Sequence, residues 1–343
     1  MPNVLAAIAA FGAMIFFHEL GHFLLAKRAG VRVHAFALGF GPQVLGWKRG
    51  ETTYSLNLLP FGGFVKMEGE DDGQSGEGSF RSKSVGARMG IIVAGPAMNL
   101  LLAVAILSLM AGTIGVPIGA STRVGTVESG WPAEAAGLRP EDVIVAIDGV
   151  AMTSGEQVIG IIHKSAGKTL ELTVRRGDQT LTMTVTPRHD EKRGVGRIGF
   201  SPEQLISRLG PVQAVGWGLE STVQFVVRLW GAIGVLIREG RFMENLGGPV
   251  LAGSELAKAA ATSAVTYLYM AASLSIVIGV FNLLPIPALD GGRLAFLALE
   301  AVRGRPLDPR REGLIHTVGF AFLLLLIVGL TARDILRLLG LRG

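Results

Sequence analysis

Four stretches of the chain are apolar over roughly the 17–25 residues that a helix needs to cross a bilayer. They extend from Val4 to Ala26, from Met89 to Gly112, from about Ala264 to Ile286 and from Leu314 to Thr331. The first stretch has no basic segment before it and no small-residue cleavage site, so we expect a retained span rather than a removable signal peptide. The hydrophobic pattern therefore predicts four transmembrane helices.

A fifth stretch, from Gly210 to Ile237, is also fairly apolar but contains Glu220 and Arg228. An unpaired charge in the middle of a bilayer costs a few kcal/mol on insertion scales. We therefore predict an amphipathic helix that lies at the membrane interface, and a fifth transmembrane helix is the alternative.

Between the first two spans, apolar and polar residues alternate from Val31 to Val44 and from Thr52 to Met67, around a turn at residues 48–50. Alternation with a period of two is typical of β-strands, so the pattern predicts a β-hairpin. The next residues, from Glu68 to Gly78, are acidic and glycine-rich without a core-forming pattern, which predicts a flexible linker.

A soluble module occupies roughly Gly119 to Pro187, between the second and third spans. Its strand-like runs are Val124–Val127, Val143–Ile147, Leu170–Arg175 and Leu181–Thr186, and Gly155 to Lys164 is helix-like. The segment from Pro132 to Ile144, closed by Ile147-Asp148-Gly149, resembles the core signature of bacterial PDZ domains. We therefore expect one inserted PDZ-like domain of α+β structure.

Composition agrees with a membrane protein, because 49% of the 343 residues are hydrophobic and only 17% are charged. The net charge of +5 needs no nucleic acid as a partner to explain it. The chain has no cysteine, which excludes disulfides and thiolate zinc ligands. A metal site would therefore use histidine and carboxylate ligands.

Basic residues are concentrated in two of the loops between the apolar stretches. The loop after the first span contains Lys27, Arg28, Arg32, Lys48, Arg49, Lys66, Arg81, Lys83 and Arg88, and the loop before the last span contains Arg303, Arg305, Arg310 and Arg311. By the positive-inside rule both loops are cytoplasmic, which puts the N-terminus, residues 113–263 and the C-terminus on the opposite side. Arg333 and Arg337 argue mildly against this topology.

The candidate chemistry begins within the first span, in the run His18-Glu19-Leu20-Gly21-His22. Residues four apart lie on one face of a helix, so both imidazoles can bind one zinc ion with Glu19 close by. Zinc hydrolases usually combine three protein ligands with one water, whose proton the glutamate takes as general base. Such a short match also arises by chance in structural helices, but ionisable residues are rarely present in an apolar span without a role.

A third ligand is expected from an ionisable residue beside another membrane segment, and Asp290 is the strongest candidate. It follows Asn282-Leu283-Leu284-Pro285-Ile286-Pro287-Ala288-Leu289, whose two prolines should break the helix there. The charge pattern puts Asp290 and the two histidines towards the same, cytoplasmic side, and nearby glycines would permit close helix approach. The alternative is that Asp290 only caps the next helix.

Four motifs together resemble the site-2 protease family, and most of all its bacterial RseP-type members. They are Phe17-His18-Glu19-Leu20-Gly21-His22-Phe23, Ala94-Gly95-Pro96-Ala97-Met98-Asn99, Asn245-Leu246-Gly247-Gly248-Pro249 and the stretch from Asn282 to Gly292. The resemblance covers nearly all of the chain. It implies one zinc ion per chain, held by His18, His22 and Asp290, with Glu19 as the catalytic residue.

The resemblance also implies substrate-binding roles for two asparagines, Asn282 near the scissile bond and Asn99 in a motif that packs beside the site. A helix–helix hydrogen bond is the alternative role for each. The implied substrates are single-span membrane proteins, such as anti-sigma factors or signal-peptide-like segments, already trimmed by another protease in a bacterial inner membrane. The chain departs from the best-known members in having one PDZ-like module rather than two.

The predicted architecture is a polytopic α-helical membrane protein with four transmembrane helices, a membrane-associated β-hairpin and one inserted PDZ-like domain. The predicted segments are residues 1–27 (first transmembrane helix), 28–88 (cytoplasmic-side hairpin region and linker), 89–113 (second transmembrane helix), 119–187 (extracytoplasmic PDZ-like domain), 188–263 (extracytoplasmic amphipathic helices), 264–300 (third transmembrane helix and the Asp-bearing motif) and 301–343 (cytoplasmic loop, fourth transmembrane helix and tail).

The predicted function is zinc-dependent regulated intramembrane proteolysis, with the lipid bilayer around the enzyme and a peptide or ectodomain as partner of the PDZ-like domain. A transmembrane substrate must unwind before it is cut, and the hairpin of residues 31–67 offers an edge to which the unwound strand could add. The alternative is that these residues form an ordinary cytoplasmic loop. The resemblance suggests residues 205–262 as a gate.

Two other classes of function are alternatives. One is a PDZ-bearing membrane adaptor with a non-catalytic zinc site. The other is a zinc transporter, and the lack of an inverted repeat argues against it.

Overall fold

The computed structural model describes residues 2–70, 76–191, 193–240 and 247–339. The chain divides into two compact units. The helical unit comprises residues 1–110 and 211–343, and the inserted domain comprises residues 111–210.

Helices make up most of the helical unit. They are α1 (Pro2–Arg28), α2 (Val85–Thr113), α5 (Pro211–Arg238), α6 (Pro249–Thr262), α7 (Ala264–Asn282), α8 (Asp290–Arg303) and α9 (Pro309–Leu338), with a 3-10 turn at Phe80–Ser82. Among the described residues, α1, α2, α5, α7 and most of α9 are long and apolar enough to cross a membrane. The prediction of several apolar spans is confirmed. Because α5 also meets these requirements, length and composition alone do not decide between four spans and five.

The helix break predicted near the two prolines is present. Helix α7 ends at Asn282, a little before the predicted end at Ile286, and the chain is non-helical until α8 begins at Asp290. Pro285 and Pro287 cannot donate the backbone hydrogen bonds of a helix, and each disfavours helical conformation in the residue before it. A short loop between two helices therefore presents Asp290.

The predicted hairpin is formed by β1 (Val33–Arg49) and β2 (Thr52–Met67), which pair from Val33 opposite Met67 to Arg49 opposite Thr52. The hairpin also folds back on itself. Phe36 of β1 lies between Val65 and Tyr54, which belong to opposite ends of β2. Positive φ angles at Gly39 and Gly62, +82° and +78°, allow the bend. Phe36 and Val65 are buried in a cluster with residues of α1 and α2, so the base of the hairpin packs against helices.

The segment predicted as a flexible linker begins at Glu68, and its residues 71–75 lie outside the described part of the chain. The Glu68 carboxylate lies 3.4 Å from Arg32. Glu70 forms an ion pair with Arg293 of α8. The first residues of this segment therefore make ion pairs that their composition did not predict.

A buried carboxylate near the end of α9 caps α6. Asp334 is fully buried and accepts hydrogen bonds from the amides of Gly248, at 3.3 Å, and Leu251, at 2.9 Å. A side chain at position 248 would collide with this carboxylate, since an added Cβ would lie 2.6 Å from Asp334 Oδ2. This contact accounts for one glycine of the Asn245–Pro249 motif, whose first two residues lie outside the described ranges.

The inserted domain is an antiparallel sheet with two helices. Its elements are β3 (Val116–Val127), α3 (Pro132–Ala135), β4 (Val143–Ile147), β5 (Val150–Ala151), α4 (Gly155–Lys164), β6 (Leu170–Arg176), β7 (Gln179–Val185), β8 (Arg188–Asp190), β9 (Val195–Arg197) and β10 (Phe200–Ser207). The sheet has the order β10-β3-β4-β6-β7, with β5 beside β4, and β8 pairs with β9 separately. The predicted helix and the four predicted strand runs are confirmed.

The sheet extends beyond the predicted end of the module at Pro187. Strand β10 returns to pair with β3, from Phe200 opposite Val127 to Ser207 opposite Val116. This pairing joins segments distant in sequence, so local alternation gave no indication of it. The core beneath the sheet is aliphatic, and Val124, Ile144, Val158 and Leu172 in it are completely buried.

Candidate metal centre

The two histidines of the first span lie one helical turn apart on α1. Their rings meet edge to face, with centroids 4.9 Å apart, and their Nε2 atoms are 3.3 Å apart. His22 is buried, and its Nδ1 donates a hydrogen bond to the backbone oxygen of Ile91 at 2.9 Å. Because a carbonyl oxygen only accepts, the neutral ring carries its proton on Nδ1 and leaves a lone pair on Nε2.

Asp290, the first residue of α8, lies beside both rings. Its Oδ2 is 3.2 Å from His18 Nε2 and 3.4 Å from His22 Nε2. The helix is capped at Leu289 without any side-chain hydrogen bond, so Asp290 does not act as the cap. The structure therefore brings together the three residues that the sequence proposed as metal ligands.

These three atoms fit one face of a zinc tetrahedron. They are separated by 3.2, 3.3 and 3.4 Å. Ligands at about 2.0–2.1 Å from zinc in tetrahedral geometry lie about 3.3–3.4 Å from one another. Asp290 Oδ2 is buried and has no hydrogen-bond partner among the described residues. Converging lone pairs in a buried site are unfavourable without a cation, so this donor set suits zinc.

Glycines allow α1 and α2 to approach closely at this point, as expected from the sequence. A Cβ added at Gly21 would lie 2.2 Å from the backbone oxygen of Ala94, and one added at Gly95 would lie 2.2 Å from His22 Nε2. Any larger residue at either position would force the helices apart or displace the imidazole.

Glu19 lies next to the three converging groups and interacts electrostatically with all of them. A Cβ added at Gly63 of β2 would lie 2.9 Å from Glu19 Cγ. The hairpin therefore passes directly beside the glutamate, and only a residue without a side chain fits there.

The two asparagines occupy different places. Asn99 is completely buried in α2, and its amide nitrogen is 3.3 Å from His18 Nδ1. Its Oδ1 is buried without a hydrogen-bond partner among the described residues. Asn282 is at the end of α7, where its side chain donates to the backbone oxygen of Ile278 at 3.0 Å. Their predicted contacts with substrate remain predictions.

Several charged contacts around α8 were not recognised from the sequence. Glu300 accepts two hydrogen bonds from Arg88 of α2, at 2.5 and 3.1 Å, and Arg293 pairs with Glu70. By charge alone, Arg88 is one of several basic residues in the loop after the first span. Its position at the start of an apolar span was the signal that could have indicated a buried partner.

Comparison with known proteins identifies the family. The sequence model of peptidase family M50 matches residues 6–326. The chain is 32% identical to the zinc metalloprotease RasP of Geobacillus kaustophilus over 98% of each chain. It is 33% identical to the regulator of sigma-W protease RasP of Bacillus subtilis, over 98% of this chain and 99% of that protein.

A solved structure of a PDZ domain, from the SdrC-like protein of Listeria monocytogenes, is similar over 24% of this chain and 86% of its own, with 29% identity and a TM-score of 0.22. The family match over residues 6–326 and the relatives of 32% and 33% identity extend along nearly the whole chain. The protein therefore belongs to peptidase family M50, the site-2 protease family of zinc metalloproteases.

Proposed function

We propose that this protease holds one zinc ion with His18, His22 and Asp290 and cuts transmembrane segments of other membrane proteins. The observation that carries the proposal is the triangle of Nε2, Nε2 and Oδ2 atoms, with sides of 3.2–3.4 Å, which joins the apolar helix α1 to the start of α8. When bound there, zinc would supply Lewis acidity that polarises the scissile carbonyl and the attacking water.

Glu19 is the proposed general base. It takes a proton from the attacking water and delivers it to the leaving amine, so the carboxylate returns to its starting protonation state. Its place in the same helical turn as His18, with its Cγ against Gly63, supports this role. Geometry held by packing in this way reduces the entropy lost when water and substrate must align.

Asn99 is proposed to orient His18 as Ile91 orients His22. A half-turn of the amide exchanges its nitrogen and oxygen, which occupy nearly the same space. The otherwise unpartnered Oδ1 would then accept a hydrogen bond from His18 Nδ1, leaving the His18 Nε2 lone pair for metal. The buried Ser275 hydroxyl of α7 holds this part of α2, because it donates to the Asn99 backbone oxygen at 2.8 Å.

The hairpin is proposed to receive the unwound substrate. Residues 63–67 pair on one side with residues 33–38, and the same strand passes Glu19 at Gly63. An extended segment added to this strand would gain backbone partners for the groups that unwinding exposes. Exposed Phe40, Leu45 and Trp47 on the far part of the hairpin suit contact with lipid or an apolar substrate helix.

The packing favours four membrane crossings. Tyr267, near the start of α7, donates to the backbone oxygen of Ala6 near the start of α1 at 2.9 Å, and Asp290 after α7 meets His18 further along α1. The two helices therefore run in the same direction. If α5 crossed the membrane, a second crossing before α7 would be required to keep that direction. Helix α6, described between them, has 14 residues and spans about 21 Å, less than the roughly 30 Å of hydrocarbon.

With α5 at the interface, the basic loops are cytoplasmic and the inserted domain is extracytoplasmic, in a bacterial plasma membrane. The Bacillus subtilis relative is a regulator of sigma-W protease. We accordingly propose anti-sigma-factor-like or signal-peptide-like substrates that another protease has already trimmed. The inserted domain would contact a substrate peptide or ectodomain, and residues 205–262 would act as a gate.

The decisive experiment compares wild type with Glu19→Gln in reconstituted membranes containing a single-span substrate. The variant keeps the ligands and loses the base, so we expect one zinc per chain and a loss of cleavage of about 10²–10⁴-fold. Undiminished cleavage would contradict the role of Glu19. A wild-type protein with neither zinc nor proteolysis would instead favour a PDZ-bearing adaptor.

A further inference from the structure

The loop that presents Asp290 contains a residue in an unfavourable backbone conformation. Ala288 has a φ angle of +74°, in the left-handed region that residues with a Cβ rarely adopt. Such conformations persist only where surrounding contacts impose them. Asp290 lies two residues further on, so the conformation of Ala288 sets the direction from which the carboxylate reaches His18 and His22.

The loop's own hydrogen bonds do not include the Ala288 amide. Ile286 donates to Leu284 at 2.7 Å and Leu289 donates to Ile286 at 3.1 Å, both within the loop. The Ala288 amide instead donates to His316 Nδ1 on α9, at 2.9 Å. The constraint on Ala288 therefore comes from a separate helix.

His316 is held as a neutral acceptor. A backbone N–H can only donate, so Nδ1 carries a lone pair and the proton is on Nε2. The ring packs edge to face against Phe296 of α8, with centroids 5.4 Å apart and an interplanar angle of 75°. Its orientation is thus fixed by the same helix that begins at Asp290.

One helical turn after His316, α9 touches the loop again. A Cβ added at Gly319 would lie 2.4 Å from Pro287 Cβ and 2.8 Å from the Pro287 backbone oxygen. His316 and Gly319 are three apart and lie on one face of α9. Neighbouring Val318 and Phe320 are about 60% exposed, at 61% and 60%, so this narrow face is where α9 meets the protein near its start.

We propose that His316 is a positioning residue for the metal centre, which holds the Ala288 turn so that Asp290 completes the ligand set. The inference rests on the proposed zinc ligation by His18, His22 and Asp290. His316 touches neither ligand nor substrate. It acts through the backbone amide of Ala288. Helix α9 would therefore support the metal centre in addition to anchoring the protein in the membrane.

The test measures zinc dissociation constants of full-length, detergent-solubilised protein by chelator competition. His316→Leu keeps a side chain of similar bulk without an acceptor, and we expect the zinc dissociation constant to rise about tenfold, the low end for outer-shell contacts. His316→Asn places an amide oxygen where Nδ1 was, and its affinity should stay close to wild type. Thr317→Val is the matched control, because that exposed hydroxyl bonds only to Gly313 of its own helix at 2.8 Å.

A second arm uses the backbone itself. Ala288→Gly removes the steric cost of the positive φ angle, so it should restore part of the affinity lost in His316→Leu. Affinity in His316→Leu equal to wild type, or an equal loss in His316→Asn, would overturn the positioning role. Wild-type protein that retains no zinc would overturn the proposed metal site, and this inference with it.

Discussion

The helical unit and the inserted domain both bury apolar residues, but they differ in what they expose and in where their buried polar groups lie. The inserted domain has an aliphatic core, and its charged pairs range from the exposed pair of Arg123 and Glu141 to the pair of Arg176 with buried Asp142. The helical unit exposes large apolar side chains along its helices, including Leu101, Val227 and Leu325, while Asn99 and Ser275 are completely buried. In water, a buried polar group is usually a structural partner; inside a membrane protein it is costly and is rarely present without a structural or functional role.

The difference predicts where single substitutions will act on function and where only on stability. In the helical unit, polar groups of α1, α2, α7 and α8 converge on the proposed metal centre, whereas Asp334 is buried as the cap of α6. In the inserted domain, the most buried carboxylate, Asp142, belongs to an ion pair with Arg176 at 2.7 Å. The first kind of change should alter metal binding, and the second kind should alter folding.

The largest effect is expected from Asp290→Ala. The substitution removes one of the three proposed protein ligands, so zinc affinity should fall by more than about 100-fold, beyond the range for outer-shell contacts. Cleavage should be lost with it, while the helices remain folded. Inductively coupled plasma analysis of purified protein, with circular dichroism as the folding check, measures both. If this variant retained one zinc ion per chain at wild-type affinity, Asp290 would not be a ligand.

A glycine-to-alanine change beside the ligands should have nearly as strong an effect. At Gly95, an added Cβ would lie 2.2 Å from His22 Nε2, so Gly95→Ala must displace the imidazole or α2. We expect loss of bound zinc and of proteolysis. Gly90→Ala, on the same helix with nothing within 4 Å of its added Cβ, should leave both unchanged. Equal zinc content in the two variants would contradict the close approach of α2 to His22 at Gly95.

In the inserted domain the expected effect is on stability. Burial would raise the pKa of Asp142, but hydrogen bonds from Arg176 and from the Arg139 amide outweigh it and hold the pKa below the usual 3.8. A depressed folded-state pKa stabilises the fold above the unfolded pKa and loses that contribution as pH falls through the folded value. The domain should therefore unfold more readily below about pH 4.

Asp142→Asn should remove this acid sensitivity and lower the free energy of unfolding by about 2 kcal/mol at neutral pH. Hydrogen–deuterium exchange of core amides in the full-length protein would then be about 30-fold faster. Zinc content should stay at the wild-type level. If Asp142→Asn changed the zinc content but not the hydrogen–deuterium exchange rates, Asp142 would act on metal binding rather than on folding, contrary to this account.

The smallest effect is expected from Arg123→Ala. Arg123 pairs with Glu141 at 2.8 Å and with Glu203 at 3.3 Å, but these side chains are 43%, 78% and 52% exposed. Exposed ion pairs contribute little, so exchange rates in the inserted domain should change by less than about threefold. A change as large as that of Asp142→Asn would show that burial does not distinguish these pairs.

The grouping of His18, His22 and Asp290 could be predicted from the sequence because its signals are local. The spacing of His18 and His22 is a property of one helix, and the prolines before Asp290 mark the break that presents it. The apolar surroundings made both signals specific. The strands of the inserted domain and the hairpin were likewise predictable from alternation over a few residues.

The supporting contacts could not be predicted, since they depend on how helices are placed against one another. Nothing in the sequence shows that Asn99 faces His18, or that the amide of Ala288 meets His316 28 residues later. A positive φ at an alanine carries no compositional signal. The pairing of β10 with β3 was missed for the same reason, because it joins segments far apart in the chain.

X-ray absorption of zinc-loaded wild type and Asp290→Asn tests the central claim most directly. The account predicts one zinc per chain, with two imidazole nitrogens and oxygen ligands at about 2.0–2.2 Å in wild type. In Asp290→Asn it predicts weakened zinc binding and altered oxygen scattering. Zinc bound by a different number of imidazoles, or an unchanged spectrum and affinity in the variant, would contradict it.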